Sequence, residues 1–308
     1  MIVFTSFENG DDKLGIKKHN AAIKYIGVFL LTAVVLLTNF YAVNAEDTGT
    51  VGTSAQAAAV IEQNSGRVLY NKNADQELPM ASTTKIMTAA VALKYGNLSD
   101  VIEVSATAAG VEGSSMYLEC GEKITLENLL YGLMLLSGND AAVAIAEHIG
   151  GGVDGFVELM NKTASELGLS HTHFDNPNGL PSDTHYTTAL ELAKITRYAM
   201  SMPEFVQIVS TKSKTIPWEG KGYDRSMTNH NKLLGSLEGC IGVKTGFTKA
   251  AGRCLVSAVN RNDMTLICVT LNDPNDWADH ASLQNSMFQK YSQNVLTSTE
   301  MIIDKISV

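Results

Sequence analysis

Ser82 and Lys85 stand three residues apart in the stretch Pro79-Met80-Ala81-Ser82-Thr83-Thr84-Lys85-Ile86-Met87-Thr88, which runs on into apolar residues at helical spacing. Side chains at i and i+3 share one face of a helix. A serine hydroxyl is a weak nucleophile until a neighbour takes its proton, and a lysine can do so once burial or nearby cations lower its pKa. With Ser82 in the first helical turn, its backbone N–H has no intrahelical acceptor and the helix dipole favours negative charge, which suits an oxyanion. S-x-x-K alone is weak, because it arises about once in a chain of this length by chance.

Two further groupings change its weight. Ser137-Gly138-Asn139 falls in a turn at the end of a helical stretch, where a hydroxyl can relay a proton and a carboxamide can hold a substrate amide. Lys244-Thr245-Gly246 ends a predicted strand. There Lys supplies positive charge and Thr a hydroxyl for a carboxylate, and Gly leaves room for a substrate backbone along the strand edge. Ser292-Gln293-Asn294 repeats the S-x-N pattern, but it follows the third motif and so breaks the order. Three motifs in sequence, on helix, turn and strand, are hard to reach by accident.

The elements that must position them can be read from the pattern. Ala57–Ile61 and Arg67–Tyr70 flank Asn64-Ser65-Gly66 as a β-hairpin. Helices are predicted over 82–93, 125–136, 140–149, 156–167 and 188–200, with a last one from 276 to 296. Residues 211–216, 239–245, 253–259 and 265–271 are β-rich, the last three spaced as a meander. Strands at both ends bracketing a helical middle predict an α/β (α+β) domain. An antiparallel sheet is flanked by helices and carries an inserted helical subdomain.

The 308 residues, 45% hydrophobic, suffice for one large domain, and a net charge of -9 argues against a nucleic-acid partner. Residues 1–45 have the layout of a secretory signal. Lys17, Lys18 and Lys24 precede an apolar run from Ile26 to Leu37, and Val43-Asn44-Ala45 offers small residues for cleavage. An uncleaved N-terminal anchor is the rival. Residues 46–56 read as a spacer, 57–294 as the catalytic domain and 295–308 as a short C-terminal tail. Cys120, Cys240, Cys254 and Cys268 form no C-x-x-C pair and so no zinc signature; an even count in an exported protein allows disulfides, but the four read as buried apolar thiols. His171 and His173 read as part of a surface turn, His185 and His230 as structural hydrogen-bonders, and Trp218 and Trp277 as packing or rim residues.

S-x-x-K, S-x-N and K-T-G together are the signature of penicillin-binding proteins and class A β-lactamases. The chain resembles the serine-type D-alanyl-D-alanine carboxypeptidases, the low-molecular-mass penicillin-binding proteins, from about Ala57 to Leu283. The likeness extends through "GSSMYLECGEKITLENLLYGLMLLSGNDAAVAIAEHIGG", "FDNPNGLPSDTHYTTALELA" and "GVKTGFTKAAGRCLV". It implies a β-lactamase/DD-peptidase-like fold, no cofactor and no metal. By the same resemblance Ser82 would attack the carbonyl between the last two D-alanines of a peptidoglycan stem peptide, with Lys85 as base and Ser137 passing the proton on. Asn139 would hold the peptide amide and help position Lys85, and Lys244 and Thr245 the terminal carboxylate beside Gly246. The N–H groups of Ser82 and Phe247 would form the oxyanion hole. β-Lactam antibiotics would acylate Ser82, and the protein would act outside the cytoplasmic membrane, touching it only through an uncleaved N-terminus. Cys120 stands where proline is usual, and Thr265 is read as standing where many relatives carry an arginine near the carboxylate. A D,D-endopeptidase, a β-lactamase and a non-catalytic β-lactam sensor are the alternatives. No E-x-x-L-N segment supports the β-lactamase, and no signalling module the sensor.

Overall fold

The computed structural model describes residues 51–292. It opens with a hairpin, β1 (Ala57–Glu62) and β2 (Val68–Lys72). A 3-10 turn, Ala81–Thr84, leads directly into α1 (Lys85–Tyr95). The short pair β3 (Val101–Glu103) and β4 (Lys123–Thr125) encloses α2 (Ala106–Ala109). Then come α3 (Leu126–Leu135), α4 (Asn139–Gly150) and α5 (Val153–Glu166), the inserted helical part. The chain returns to the sheet through α6 (Ala189–Ala199) and α7 (Pro203–Ser210). A second ribbon, β5 (Ser213–Ile216) with β6 (Arg225–Thr228), and one turn of helix, α8 (Leu233–Ser236), follow. The meander β7 (Cys240–Thr248), β8 (Gly252–Arg261) and β9 (Met264–Leu271) and the long α9 (Asp276–Lys290) complete it.

The main sheet is antiparallel throughout, in the order β2-β1-β9-β8-β7, so the N-terminal hairpin and the late meander close on each other through β1 and β9. Both faces are covered. Leu283 and Met287 of α9 pack with Val60, Leu266 and Cys268 on one side. Residues of α1, α6 and α7 join Ala57, Ile61, Val256, Ile267 and Val269 in the core on the other. That is why β1 and β9 are apolar at most positions on both faces instead of alternating, Ala57–Ile61 and Leu266–Val269 being continuous apolar runs. Side-chain caps mark the helix starts: Thr125 Oγ1 accepts from Asn128 N at 3.3 Å, and Thr188 Oγ1 from Glu191 N at 3.1 Å.

Several expectations need correction. Ser82 lies in the 3-10 turn before the helix, not in its first α-helical turn. The helix α7 was not foreseen; Pro203 at its start presets the backbone, and residues Phe205, Ile208 and Val209 give it a buried face. Residues 51–56 are not a loose spacer: Ala55 is buried, and Thr53 Oγ1 and Ser54 Oγ donate to Asp279 of α9 at 2.7 and 2.8 Å. All four cysteines are free thiols, but only Cys254 and Cys268 are buried; Cys240 is half-buried and Cys120 exposed. The signal or anchor, residues 46–50 and the tail lie outside the described residues, as does most of the decoy motif.

Candidate active site

Segments far apart in sequence meet at a cleft of about 270 Å³ whose walls include Ser82, Ser137, Thr245, Gly246 and Phe247. Two non-glycine residues held at positive φ border it, Ala81 at 47° and Ser137 at 62°. Such conformations cost about 1–3 kcal/mol each and persist only where the surroundings enforce them. Behind Ala81 the enforcement is visible. Gly179 packs so closely that a Cβ there would lie 2.0 Å from the Ala81 carbonyl oxygen.

Lys85, the first residue of α1, is fully buried. Its Nζ lies 3.1 Å from Ser82 Oγ, 2.7 Å from Asn139 Oδ1 and 2.5 Å from the main-chain oxygen of Asn178. Burial drives its pKa well below the ordinary lysine range; the positive charge of Lys244 pushes the same way and Asp140 opposes. A neutral amine has two N–H donors and one lone pair. The two carbonyl acceptors take the donors, which leaves the lone pair for the Ser82 hydroxyl proton.

Asn139 is committed to this arrangement at both ends, with Oδ1 on Lys85 and Nδ2 donating to Glu112 O at 2.7 Å. It is 4% exposed and does not line the cleft, so the geometry fits positioning of Lys85 better than holding a peptide amide. Lys244 is buried beneath the cleft on β7, its Nζ donating to Thr245 O at 2.9 Å, and burial lowers its pKa to about 7. Gly246 has a reason other than the expected one. A Cβ there would sit 3.1 Å from both Ser82 N and Thr83 N, so the glycine lets β7 approach the turn that carries Ser82. Phe247 follows, 65% exposed, on the edge strand of the sheet.

The sequence pattern of the D-alanyl-D-alanine carboxypeptidase family, peptidase S11, matches residues 43–275. Among curated relatives, the D-alanyl-D-alanine carboxypeptidase DacF of Bacillus subtilis is 34% identical, over 92% of this chain and 74% of its own length. The D-alanyl-D-alanine carboxypeptidase of Streptomyces sp. K15 is 39% identical, over 71% of this chain and 80% of its own. The crystal structure of the Streptomyces K15 DD-transpeptidase superposes with a TM-score of 0.74 at 35% identity, covering 78% of this chain and 99% of that one. The chain belongs to the D-alanyl-D-alanine carboxypeptidase family. It is a serine peptidase with the DD-peptidase fold.

In this carboxypeptidase several cleft residues lie outside the three motifs. Thr265 is not at the cleft. It sits at the opposite end of the sheet, where its Oγ1 accepts from Asn260 Nδ2 at 2.8 Å and its carbonyl from Gln63 N at 2.9 Å. The guanidinium in the cleft wall belongs instead to Arg253 of β8, which pairs across the hairpin with Phe247. Its Nη2 donates to Asp276 Oδ1 at 2.8 Å, and it lies 5.9 Å from the Trp277 ring. The signal was available, because a short turn after Thr248 brings Arg253 beside the third motif.

Other residues hold the cleft in place. Asp140 is buried and accepts from Ser115 Oγ at 2.6 Å and from the N–H groups of Met116 and Leu118 at 3.1 Å. It thereby fixes the loop that presents Glu112 and Ser114. Asn176 Oδ1 accepts from Gly179 N at 2.7 Å, shaping the turn that carries the Asn178 carbonyl. His185 is structural as expected. Its Nδ1 accepts from Asp175 N at 3.0 Å, so Nε2 donates to Thr84 Oγ1 at 2.8 Å. Burial lowers its pKa to about 4 and keeps it neutral. His230 differs from expectation in lining the cleft, with its pKa lowered by burial and by Lys244. Trp277 is a rim residue, and Trp218 stacks on Arg225 with the guanidinium 4.1 Å from the ring centre. His171 pairs with Glu77 at 2.9 Å and His173 with Asp175 at 3.2 Å on the surface.

Proposed function

We propose that the enzyme removes the terminal D-alanine from peptidoglycan stem peptides through an acyl-enzyme on Ser82. Neutral Lys85 takes the Ser82 proton as Oγ attacks the carbonyl between the two D-alanines. The developing oxyanion is met by the N–H groups of Ser82 and Phe247, fixed donors of the kind that lower such barriers most. The C–N bond breaks as Ser137 passes a proton to the leaving amine. Lys244, Thr245 and Arg253 hold the terminal carboxylate, a charge-assisted set of donors. Water then attacks the ester and frees Ser82. β-Lactams acylate the same oxygen.

The observation that carries this reading is the placement of the Lys85 amine, with both donors absorbed by Asn139 and Asn178 and its third direction on Ser82. Hydrolysis of β-lactams as the main activity is disfavoured, because the carboxylate lining the cleft, Asp276, is bonded to Arg253. In keeping with its substrate, the enzyme works in the cell envelope, with residues 1–45 as export signal or anchor and residues 57–294 as the catalytic domain.

The test is D-alanine release from a peptide ending in D-Ala-D-Ala, with Ser82→Ala alongside and intact mass after penicillin treatment. Release and a penicillin adduct by wild type, and neither by Ser82→Ala, are expected. A stable adduct without release would move the reading to an endopeptidase or a sensor.

A further inference from the structure

On the reading just given Arg253 holds the terminal carboxylate, and the present inference rests on that reading. One turn grips Arg253 at both its main chain and its side chain. Asp273 N donates to the Arg253 carbonyl at 2.8 Å, and Arg253 Nη2 donates to Asp276 Oδ1 at 2.8 Å. That turn joins β9 to α9, and the N-terminal segment is bonded to it. Thr53 Oγ1 and Ser54 N donate to Asp279 Oδ2 at 2.7 and 2.5 Å. Ser54 Oγ lies 2.7 Å from Asp273 Oδ1 and 2.8 Å from Asp279 Oδ2. Asn272 Nδ2 donates to Gln56 Oε1 at 2.8 Å. Residues 53–56 therefore staple the end of β9 to the first turn of α9, the turn whose Asp276 aims the guanidinium.

The hydrogens at this staple do not add up if both acids are ionised. A serine hydroxyl has one hydrogen to give, and a carboxylate only accepts. Ser54 Oγ faces two carboxyl groups, which also lie within hydrogen-bonding reach of each other. Asp279 already receives two other donors, whereas Asp273 is fully buried and its Oδ2 receives none. One proton on Asp273 completes the set: Asp273 donates to Ser54 Oγ, and Ser54 donates to Asp279.

The surrounding charges agree. With Asp273 neutral, the anions Asp276 and Asp279 stand against the cations Arg253 and Lys72, and Lys72 Nζ donates to Thr53 O at 2.7 Å. The other titratable neighbours are neutral. Burial pushes the thiols of Cys254 on β8 and Cys268 on β9 up and the His280 imidazole on α9 down. A charge on Asp273 would be a third anion with no cation of its own, beside Asp279. Burial raises the Asp273 pKa, and the Asp279 charge adds to the rise.

We propose that Asp273, Ser54 and Asp279 are positioning residues for the reaction, and that the one proton they share holds residues 53–54 on α9 and so keeps Arg253 aimed into the cleft. The staple is closed in acid. As pH rises through the folded value of Asp273 the proton leaves to water, two like charges face each other across Ser54, and the turn under Arg253 loosens.

The test measures KM and kcat for D-alanine release from a peptide ending in D-Ala-D-Ala and from its C-terminal amide, from pH 4 to pH 9. The proteins are wild type, Ser54→Ala, Asp273→Asn and Arg253→Leu. Ser54 is exposed, so losing its hydroxyl leaves the core intact. Ser54→Ala is expected to raise KM for the acid about fivefold and to leave kcat, and KM for the amide, within about twofold. In wild type the preference for the acid over the amide should fall as pH rises. Asp273→Asn donates to Ser54 without titrating, so its preference should fall less. Lys244 titrates in both proteins alike, and the difference between the two profiles reports Asp273. No loss in Ser54→Ala, a loss equal on acid and amide, or an Asp273→Asn profile identical to wild type would overturn the inference. Arg253→Leu keeps the two readings apart. If it separates acid from amide and Ser54→Ala does not, the positioning role alone falls. If it affects both peptides equally, the role of Arg253 in carboxylate binding falls and the positioning role with it.

Discussion

Lys85 and His280 are both buried bases whose pKa is pushed down mainly by loss of water, yet they sit in opposite kinds of surroundings. His280, on the buried face of α9, is held by Ser257 Oγ at 2.7 Å and Thr270 Oγ1 at 3.0 Å, fully enclosed. Lys85 is equally enclosed, but one of its three directions points at a hydroxyl in an open cleft, and a second buried cation, Lys244, keeps pressing its proton off. Burial alone makes a poised base. A base with an unfilled direction toward a reachable nucleophile makes a catalyst. His280 has no such direction, so its shift appears only in stability.

The widest gap between the two regions should open on removing the lysine. Lys85→Ala is expected to slow acylation of Ser82 by about 10³-fold, the scale of a lost general base, while His280→Asn leaves acylation within about twofold. Stopped-flow or quenched mass measurements with a penicillin check both. A loss of similar size from His280→Asn would erase the distinction.

Next in size is the recognition wall. Arg253→Leu should lower kcat/KM for a D-Ala-D-Ala peptide by about 30-fold, through loss of a charge-assisted donor to the carboxylate. A peptide amidated at its C-terminus should lose little, and equal losses on the two substrates would remove Arg253 from carboxylate binding.

The sealed site should declare itself in acid. His280 has a folded pKa of about 3 against an ordinary 6.5. As pH falls below about 6.5 the unfolded chain takes up a proton that the native state refuses, so stability drops, by at most about 1.4 kcal/mol per pH unit. His185, at about 4, adds a loss of the same sign. Urea titrations from pH 7 to pH 4 should show a shallower decline for His280→Asn. An unchanged slope would contradict a buried neutral imidazole.

The smallest expected effect concerns the cation that presses on Lys85. Lys244 is held at about 7 against an ordinary 10.5. At and below neutral pH the unfolded chain gains more from its proton than the native state does, a cost that is recovered as pH rises toward 10.5. Lys244→Met should therefore raise Tm by about 5 °C at pH 7, with the gain fading by pH 10, while substrate binding is lost. Calorimetry at the two pH values checks this, and a lower Tm at pH 7 would mean that Lys244 stabilises the native fold.

What could be read before the structure, and what could not, divides along a physical line. The three motifs, the N-terminal hairpin, the meander and most helices follow from local spacing, and Ser82, Lys85, Ser137 and Lys244 do converge. The Asn178 carbonyl was invisible because a main-chain oxygen carries no residue signature; only the turn around Asn176 aims it at Lys85. Arg253 was missed, and Thr265 wrongly put in its place, because strand-by-strand matching does not say which end of a strand faces the cleft. The β7–β8 register does, by setting Arg253 against Phe247. Gly246 was read as room for substrate, whereas the tight neighbour is the backbone of Ser82 and Thr83, a contact set by the packing of β7 on the turn.

The central claim is that Ser82 is activated by a lysine that is neutral because it is buried. The rate of Ser82 acylation by penicillin, followed by intact mass from pH 5 to pH 11, tests it most directly. The account predicts that the limb reporting the base lies well below the ordinary lysine value of 10.5 and that it disappears in Lys85→Ala. A rate that keeps climbing through pH 10, or a limb that survives in Lys85→Ala, would contradict it.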